Sequence, residues 1–371
     1  MATSAQSPLQ RLSALGQSVW VDFLSREEIH GGELQGLIDD DAVVGATSNP
    51  TIFQKAMSQG DAYDEQIHEL AGRGASTEEI FWALAEQDVR DACDVFRPVF
   101  DATSGRDGYV SLEVDPRLAY DTLNTFREAM RLSDEVDRRN LLVKIPATKP
   151  GLAAIEDAVA KARSINITLI FSLRRYAEVA ESYTRGIERL IAEGGDPRAV
   201  SSVASFFVSR IDTEADRRLD EIGGHDHLKG KLAVANAKLA YEHYLQTFKG
   251  ERWDFLAAKG ARTQRVLWAS TSTKNPAYPD TKYVDELIGP DTVNTMPGET
   301  IRAFQDHGEP HATLQEGLAE AHRLFDELAN AGVDYDDVTD TLEREGVEKF
   351  AASYEELIAS LGAKQESLTP A

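Results

Sequence analysis

The sequence is poor in the residues that build disulfides and metal centres. It contains one cysteine, Cys93, which excludes an intramolecular disulfide and a cysteine-rich metal site. Cys93 stands in a helical pattern of apolar residues, so we expect it to be buried and unreactive. Only eight histidines occur. Two of them, His225 and His227, flank an aspartate in a stretch broken by glycines, which favours a loop over a metal ligand set. The sequence therefore predicts no metal.

Long apolar runs are also missing. No apolar stretch approaches the roughly 18–20 residues that a membrane-spanning helix needs. The first 17 residues contain one arginine and no continuous apolar segment, which is not typical of a secretory signal. These features, with the lone cysteine, predict a cytoplasmic protein that has no membrane partner.

Basic residues are scarce relative to acidic ones. The chain has 39 Lys and Arg against 63 Asp and Glu, which gives a formal net charge of −24. Nucleic acids and anionic membranes are bound by basic surfaces, so the composition excludes both as partners. Phosphorylated substrates remain allowed, because a few local cations are enough to bind them. The excess acid is typical of a solvated surface.

Short apolar segments alternate with helical patterns along most of the chain. Near-continuous apolar strands of this kind, each followed by a helix, indicate a parallel sheet that is covered on both faces. There are eight such segments, and eight strands close a (β/α)8 barrel. A doubly wound open sheet is the alternative, but no Gly-rich turn follows the first strand and no GxxxxGK[ST] loop occurs. The predicted strands cover residues 18–24, 43–47, 109–114, 141–146, 165–171, 203–208, 265–269 and 292–297.

We therefore predict one α/β domain, a TIM barrel over residues 1–371, with additions to the basic fold. They are an N-terminal extension (1–17), a helical insertion (about 213–260) broken at Gly223-Gly224, and a terminal helix (about 335–361). Residues from Gly362 onward lack periodicity and are expected to fray. Exposed apolar residues on the insertion or the terminal helix would suit a homodimer contact, with a monomer as the alternative.

A lysine stands inside the fourth predicted strand. The stretch from 141 to 148 reads LLVKIPAT, and Lys144 follows three apolar residues in it. Lysine is almost never fully buried unless it is paired or used in chemistry. One interpretation is that Lys144 extends along the apolar surface with its ammonium in water. The other is a Schiff-base lysine, which attacks a carbonyl from a low-dielectric site.

Polar residues recur at the carboxyl ends of the other predicted strands. In a (β/α)8 barrel these ends meet at one face, where active sites lie. Singly, each residue has an ordinary explanation as a helix cap, a turn residue or a core hydroxyl. Their occurrence on nearly every strand, around Lys144, favours a shared site. The residues are Asp22, Thr47, Asn49, Glu113, Asn166, Thr168, Ser205, Arg210, Ser270 and Lys274.

Such a set would support carbon–carbon bond cleavage through a Schiff base. A free lysine has a pKa of about 10.4, so a nucleophilic lysine needs surroundings that disfavour its ammonium form. Glu113 could move protons during imine formation through a water held by Thr168. Asp22 could then remove the hydroxyl proton whose loss breaks the bond. Substrate hydroxyls and a phosphate would be bound by Asn49, Asn166, Ser205 and Arg210.

Several of these segments resemble the transaldolase family, in its longer bacterial branch. The resemblance covers the strands from the first to the seventh. The segments that carry it are ATSNPTIF (46–53), VSLEVDPR (110–117), LVKIPAT (142–148), INITLIF (165–171), SFFVSRID (205–212) and WAST (268–271).

The resemblance implies a class I transferase of the pentose phosphate pathway that uses no cofactor. It would move a dihydroxyacetone unit from sedoheptulose 7-phosphate to glyceraldehyde 3-phosphate, giving erythrose 4-phosphate and fructose 6-phosphate. It also implies Lys144 as the Schiff-base residue and Asp22 as the acid/base. Glu113 and Thr168 would hold the catalytic water. The dihydroxyacetone moiety and the phosphate would be bound by Asn49, Asn166, Ser205 and Arg210.

One position departs from the family pattern. Many family members carry a second phosphate-binding arginine two residues after the serine that matches Ser270. This sequence has Ser272 there, and Lys274 follows two residues later. Lys274 is either a point-charge replacement for that arginine or an exposed loop lysine.

Three other functions are consistent with parts of the sequence. An aldolase that releases dihydroxyacetone would share the Schiff-base lysine. A non-catalytic sugar-phosphate binding protein would keep the barrel without turnover, although every catalytic position holds a competent residue. A metal-dependent aldolase would need ligands that the histidine spacing does not supply.

Overall fold

Eight parallel strands form a closed barrel in chain order, with the last strand paired to the first. The computed structural model describes residues 6–58 and 60–368. The predicted (β/α)8 barrel is confirmed, and the open sheet is excluded. The strands are β1 Gln17–Val21, β2 Val43–Ala46, β3 Tyr109–Glu113, β4 Leu141–Pro146, β5 Ile165–Ile170, β6 Ser202–Phe207, β7 Arg265–Ala269 and β8 Thr292–Met296.

Helices surround the barrel and fill the connections between strands. Three of them follow β8 and form the end of the described chain. The helices are α1 Pro8–Ala14, α2 Arg26–His30, α3 Glu33–Asp41, α4 Pro50–Ser58, α5 Asp64–Gly72, α6 Thr77–Ala102, α7 Thr122–Val136, α8 Lys149–Ala160, α9 Leu173–Ala192, α10 Ser209–Ile222, α11 Leu232–Thr247, α12 Glu251–Ala258, α13 Lys282–Asp285, α14 Gly298–His307, α15 Leu318–Ala331 and α16 Tyr335–Leu368.

Local sequence fixes where the crossover helices begin. Ser76 forms a capping box with Glu79 at the start of α6. Thr148, just past β4, caps α8, and Ser172, just past β5, caps α9. These hydroxyls satisfy free backbone N–H groups directly after the strands. The polar residues at the strand ends are thereby held on short turns.

Two boundaries differ from the sequence-based expectation near the first strand. The strand ends at Val21 rather than at residue 24, so Asp22 is the first residue beyond it. The helix expected from Ser25 to about residue 38 is split into α2 and α3. The split falls at Gly31-Gly32, where Gly32 adopts a φ of 86° that a helix cannot continue through.

The terminal helix α16 is longer than expected and crosses the mouth of the barrel. The expectation of fraying from Gly362 is wrong, because the helix continues to Leu368. Its last turns are held by contacts outside the helix: Lys364 Nζ lies 2.7 Å from Asp64 Oδ1, and Thr77 Oγ1 donates to Gln365 Oε1 at 2.8 Å. At its other end, Arg218 Nη1 lies 2.6 Å from Asp337 Oδ2.

The remaining expectations about burial have mixed outcomes. Cys93 is fully buried, as predicted, and burial raises the pKa of its thiol well above the usual range. The insertion presents exposed Ile222, Leu245 and Phe255, whereas the exposed large apolar residues of the described chain include none on α16.

No helix within residues 6–58 and 60–368 is long and apolar enough to cross a membrane. A homodimer or a monomer stays a prediction.

Candidate active site

A cavity of about 320 Å³ opens at the carboxyl ends of the strands, beneath α16. Most of the residues predicted for the site line it. Two predicted residues do not: Glu113 and Asn166 are buried below the cavity floor, on the strands that flank Lys144. The predicted residues on the cavity wall are Asp22, Thr47, Asn49, Lys144, Thr168, Ser205, Arg210, Ser270 and Lys274.

Lys144 lies on β4 between two polar neighbours in register. Glu113 on β3 and Asn166 on β5 are its strand partners. Lys144 Nζ lies 3.0 Å from Glu113 Oε2 and donates to the carbonyl oxygen of Ser48 at 3.1 Å. Only 6% of the lysine side chain and 2% of the glutamate side chain are exposed. The ammonium therefore does not reach bulk water as an extended surface lysine would.

A ring from the terminal helix covers the same ammonium. Phe350 on α16 is buried, and the centroid of its ring lies 5.5 Å from Lys144 Nζ. A cation at this distance from an aromatic face is attracted by the ring quadrupole. Phe350 was not predicted for the site, because it belongs to a helix rather than to a strand end.

Glu113 and Thr168 hold polar atoms that have no hydrogen-bond partner in the part of the chain that the structure describes. Burial raises the pKa of the Glu113 carboxyl, while the charge of Lys144 opposes the rise. Glu113 Oε1 and Thr168 Oγ1 are buried and accept or donate no hydrogen bond within the described chain. Directly after Thr168, Leu169 adopts a φ of 61°, and the β5–β6 pairing shifts register there. Such strain at a bulky residue is characteristic of functional sites.

Asp22 is fixed at the end of β1 by the neighbouring strands. Its backbone N–H donates to Met296 O at 2.8 Å, and its Oδ1 accepts from Thr47 Oγ1 at 2.9 Å. Thr47 Oγ1 in turn lies 2.8 Å from Thr295 Oγ1. Loss of surrounding water raises the pKa of the Asp22 carboxyl, while Lys144 and the Thr47 hydrogen bond oppose the rise. The carboxyl is thus suited to exchanging a proton nearer neutral pH.

A chain of hydrogen bonds runs beneath the cavity from β6 to β3. Ser205 Oγ donates to Asn166 Oδ1 at 2.7 Å, and Asn166 Nδ2 donates to Ser111 Oγ at 3.0 Å. Asn166 is fully buried, so in this structure it holds Ser205 in place from below. Ser111 was missed by sequence reasoning. Its position two residues before Glu113 puts both side chains on the same face of β3, which could have identified it.

Asn49 and Ser270 have structural contacts as well as cavity positions. Asn49 Oδ1 accepts from the backbone N–H of Ile52 at 3.0 Å and so caps α4. This contact leaves the amide nitrogen as the group available to a ligand. Ser270 adopts a φ of 57°, and its Oγ lies 3.0 Å from Ser209 Oγ. The contact ties the end of β7 to the start of α10, next to Arg210.

The outer part of the cavity is cationic although the whole chain is strongly acidic. Five cationic side chains and two carboxylates line it. Arg210 stacks on Phe207, with 5.3 Å between its Cζ and the ring centroid, and burial lowers the pKa of its guanidinium. Lys274 donates to Ser272 Oγ at 2.5 Å. The cationic residues are Lys55, Lys144, Arg210, Lys274 and Lys349, and the carboxylates are Asp22 and Glu299.

Potential metal ligands are dispersed. Within the described residues no three His, Cys, Asp or Glu side chains converge in a way that could hold a metal ion. The ring centroids of His225 and His227 lie 6.2 Å apart near a short turn after α10, outside the cavity. The cavity therefore offers amine, carboxylate, hydroxyl and guanidinium groups for chemistry on a polar, anionic ligand.

Comparison with known proteins agrees with this geometry. A family model described as transaldolase/fructose-6-phosphate aldolase matches residues 19–361. A transaldolase from Acidothermus cellulolyticus is 55% identical over 95% of this chain and 96% of its own length. Transaldolases from Saccharopolyspora erythraea and Frankia alni are 52% and 51% identical, each over 96% of this chain and over 98% and 96% of their own lengths. The predicted enzyme class is confirmed: the chain belongs to the transaldolase/fructose-6-phosphate aldolase family.

Proposed function

We propose that this enzyme is a transaldolase of the pentose phosphate pathway. It would transfer a dihydroxyacetone unit from sedoheptulose 7-phosphate to glyceraldehyde 3-phosphate, giving erythrose 4-phosphate and fructose 6-phosphate. The observation that carries the proposal is the buried pair of Lys144 and Glu113, 3.0 Å apart below a cationic cavity. Relatives named transaldolase, aligned over nearly the whole chain, support the same activity. Cytoplasmic location stays a prediction.

The first step joins Lys144 to the ketose. Glu113 accepts a proton from the ammonium, which leaves a neutral amine that attacks the ketone carbon. The carbonyl oxygen takes up one proton from the attacking nitrogen and a second from Glu113, and it leaves as water, which gives an iminium ion. The raised pKa of Glu113 suits it to accept and return these protons. A water between Glu113 and Thr168 would relay them, since both side chains have polar atoms without partners among the described residues.

The second step breaks the carbon–carbon bond. Asp22 removes the proton from the hydroxyl next to the scissile bond, and the bonding electrons move to the iminium nitrogen. An aldose phosphate leaves, and the dihydroxyacetone unit stays on Lys144 as an enamine. Addition of the enamine to the acceptor aldehyde, with Asp22 now donating its proton, reverses the sequence. The raised pKa of the Asp22 carboxyl supports both roles.

Polar groups around the cavity would position the sugar. Asn49 and Ser205 line the cavity and would bind hydroxyls of the dihydroxyacetone unit, and Ser270 lines it nearby. Asn166 would contribute through Ser205, to which it is hydrogen-bonded, and a direct contact with substrate stays a prediction. Arg210 would bind the phosphate in bidentate fashion, with Lys274 as a second charge.

Borohydride trapping tests the mechanism. The enzyme is incubated with fructose 6-phosphate, reduced, digested and analysed by mass spectrometry. We expect the added mass on the peptide that contains Lys144, and no label in Lys144→Ala. Lys161, which is exposed and paired with Glu193, supplies the matched control variant Lys161→Ala, which should be labelled like the wild type. A label elsewhere, or activity retained by Lys144→Ala, would refute the proposed nucleophile.

The competing function is an aldolase that releases dihydroxyacetone, because the family description covers both activities. The two are separated by dependence on the acceptor. We expect fructose 6-phosphate to be consumed rapidly only when erythrose 4-phosphate is present. Equal rates with and without erythrose 4-phosphate would identify an aldolase instead. Binding of the sugar phosphate without turnover in either assay would indicate a non-catalytic binding protein.

A further inference from the structure

The terminal helix α16 brings a cation to the wall of the catalytic cavity. Lys349 lines the cavity and directly precedes Phe350, whose ring lies over Lys144. One turn later, Ser353 Oγ accepts a hydrogen bond from Thr51 Oγ1 of α4 at 2.9 Å. The backbone on both sides of Lys349 is therefore fixed against the barrel, and its exposed side chain stands at the cavity mouth.

Lys349 faces other cations rather than an acid. Among the described residues, no carboxylate lies within 4.0 Å of the cationic atoms of Lys349, Arg210 or Lys274. On α16, Asp340 is paired with Arg174 and Glu343 with Arg175. Glu345, one turn before Lys349, is near enough to Arg210 to oppose the lowering of its pKa by burial. The positive charges nearest to Lys349, above all Arg210, lower the pKa of its amine.

Like charges held close together at the cavity mouth repel one another, and a bound dianion would remove that repulsion. A phosphate monoester carries up to two negative charges and has three terminal oxygens that accept strong charge-assisted hydrogen bonds. Arg210 offers a planar fork, whereas a lysine offers a point charge that adapts to the remaining oxygens. The cluster therefore matches the phosphate end of a sugar phosphate.

We propose that Lys349 binds the substrate phosphate together with Arg210 and Lys274. This inference rests on the proposed function and adds a residue from outside the barrel to the substrate site. It follows that α16 contributes to the preference for phosphorylated over unphosphorylated sugars. Lys55 on α4 lines the same cavity and contributes to the positive field.

The test compares three variants on the full-length chain. Lys349→Met removes the charge and keeps an unbranched side chain, and Lys349→Arg keeps the charge. Arg344→Met is the matched control, because Arg344 is exposed on the same helix and does not line the cavity. For each protein, KM and kcat are measured with fructose 6-phosphate and erythrose 4-phosphate, and fructose serves as the unphosphorylated donor. The dissociation constant of inorganic phosphate is measured by calorimetry.

Loss of one charge-assisted contact should raise the KM for fructose 6-phosphate by about 10-fold or more in Lys349→Met. The kcat/KM for fructose should stay within about 2-fold of wild type, and the affinity for inorganic phosphate should fall in parallel with the rise in KM. Lys349→Arg should recover most of the loss, and Arg344→Met should resemble the wild type. An unchanged KM in Lys349→Met, or an equal loss with fructose, would overturn the proposal.

Failure of the proposed function would be recognised separately. Wild-type protein without acceptor-dependent turnover would refute transaldolase activity. Calorimetry with inorganic phosphate needs no turnover, so it still tests Lys349 in that case. Equal phosphate affinity of wild type and Lys349→Met would then overturn the inference, and weaker binding by the variant would support it.

Discussion

Lys144 and Glu113 face each other across neighbouring strands, with Nζ and Oε2 3.0 Å apart and both side chains almost completely buried. A buried charge of either sign is costly unless it is paired, so each residue makes the other tolerable inside the barrel. The pair can also become neutral by moving one proton from nitrogen to oxygen. That transfer produces the free amine that a Schiff base requires.

The first prediction concerns Glu113→Gln. Glutamine keeps the shape of the side chain but cannot take the proton, so imine formation should slow. We expect kcat to fall by about 10²–10⁴-fold, the usual contribution of a positioned acid/base. Steady-state kinetics and the rate of borohydride trapping measure the effect. Trapping at the wild-type rate in Glu113→Gln would contradict the assigned role.

Asp22 leads to a prediction about pH. Activity should fall as pH decreases, because Asp22 becomes protonated and can no longer accept a proton. Since its pKa is raised, the midpoint of this fall should lie above the pKa of a free aspartate, which is about 3.9. Thr47 donates a hydrogen bond that lowers the pKa of Asp22, so Thr47→Val should move this acid limb to higher pH. Asp22→Asn should abolish the limb and most of the turnover while trapping on Lys144 persists. The pH dependence of kcat/KM measures all three, and an unmoved limb in Thr47→Val would contradict the argument.

Asp212 leads to a prediction about stability. Its carboxylate accepts hydrogen bonds from Ala233 N at 2.7 Å and from the Tyr283 hydroxyl at 2.9 Å. Burial nevertheless raises its pKa to about 6. Between about pH 4 and pH 6 the folded state therefore binds more protons than the unfolded state, and Asp212 stabilises the fold most at low pH. Its contribution to the free energy of unfolding is complete below about pH 4. It falls by about 3 kcal/mol as pH rises past about 6.

Asp212→Asn should lack that dependence, because an amide resembles the protonated acid and can still pair with Ala233 and Tyr283. Relative to wild type, the variant should gain stability between pH 4 and pH 7, measured by urea unfolding at each pH. Glu355→Gln, which removes an exposed carboxyl, is the control and should follow the wild-type curve. If the free energies of unfolding of Asp212→Asn and wild type depended on pH in the same way, the pKa of the Asp212 carboxyl would not be raised in the folded state.

Two glycines of α16 form a matched pair. A Cβ at Gly346 would lie 3.0 Å from Leu169 Cδ2, whereas a Cβ at Gly362 would meet its nearest atom, Thr77 Oγ1, at 3.7 Å. Gly→Ala within a helix is ordinarily stabilising by about 0.5–1 kcal/mol, so Gly362→Ala should raise the free energy of unfolding by that amount.

Gly346→Ala should be stabilised less than Gly362→Ala, or should be destabilised. The reason is that Leu169 is buried, has a strained backbone conformation and has little room to move. Thermal or urea unfolding of both variants measures the difference. Equal stabilisation by the two substitutions would show that α16 does not need its close approach to β5.

The strand ends were predictable from sequence for a physical reason. Side chains in a strand alternate between faces, and parallel strands in a barrel end at one rim, so polar residues there must converge. The convergence of strand ends brings Asp22, Lys144 and Thr168 together without any knowledge of tertiary contacts. It does not separate the cavity wall from the layer beneath, so the position of Asn166 below the wall, hydrogen-bonded to Ser205, was not foreseen.

The contributions of the helices could not be predicted in the same way. Phe350 and Lys349 reach the cavity because of how α16 packs over the barrel mouth, and their spacing along the helix is that of any amphipathic helix. The left-handed conformation of Leu169 was equally hidden, since leucine rarely adopts it. Both features depend on packing between segments that are distant in sequence.

The order of the chain gives α16 a further consequence for biosynthesis. All eight strands leave the ribosome before Tyr335, so a nascent chain can close its barrel while the mouth is still uncovered. In that interval Lys144 lacks the ring of Phe350 above it. Translation therefore completes the catalytic chamber only after all the barrel strands have been made, which delays full competence until α16 has emerged.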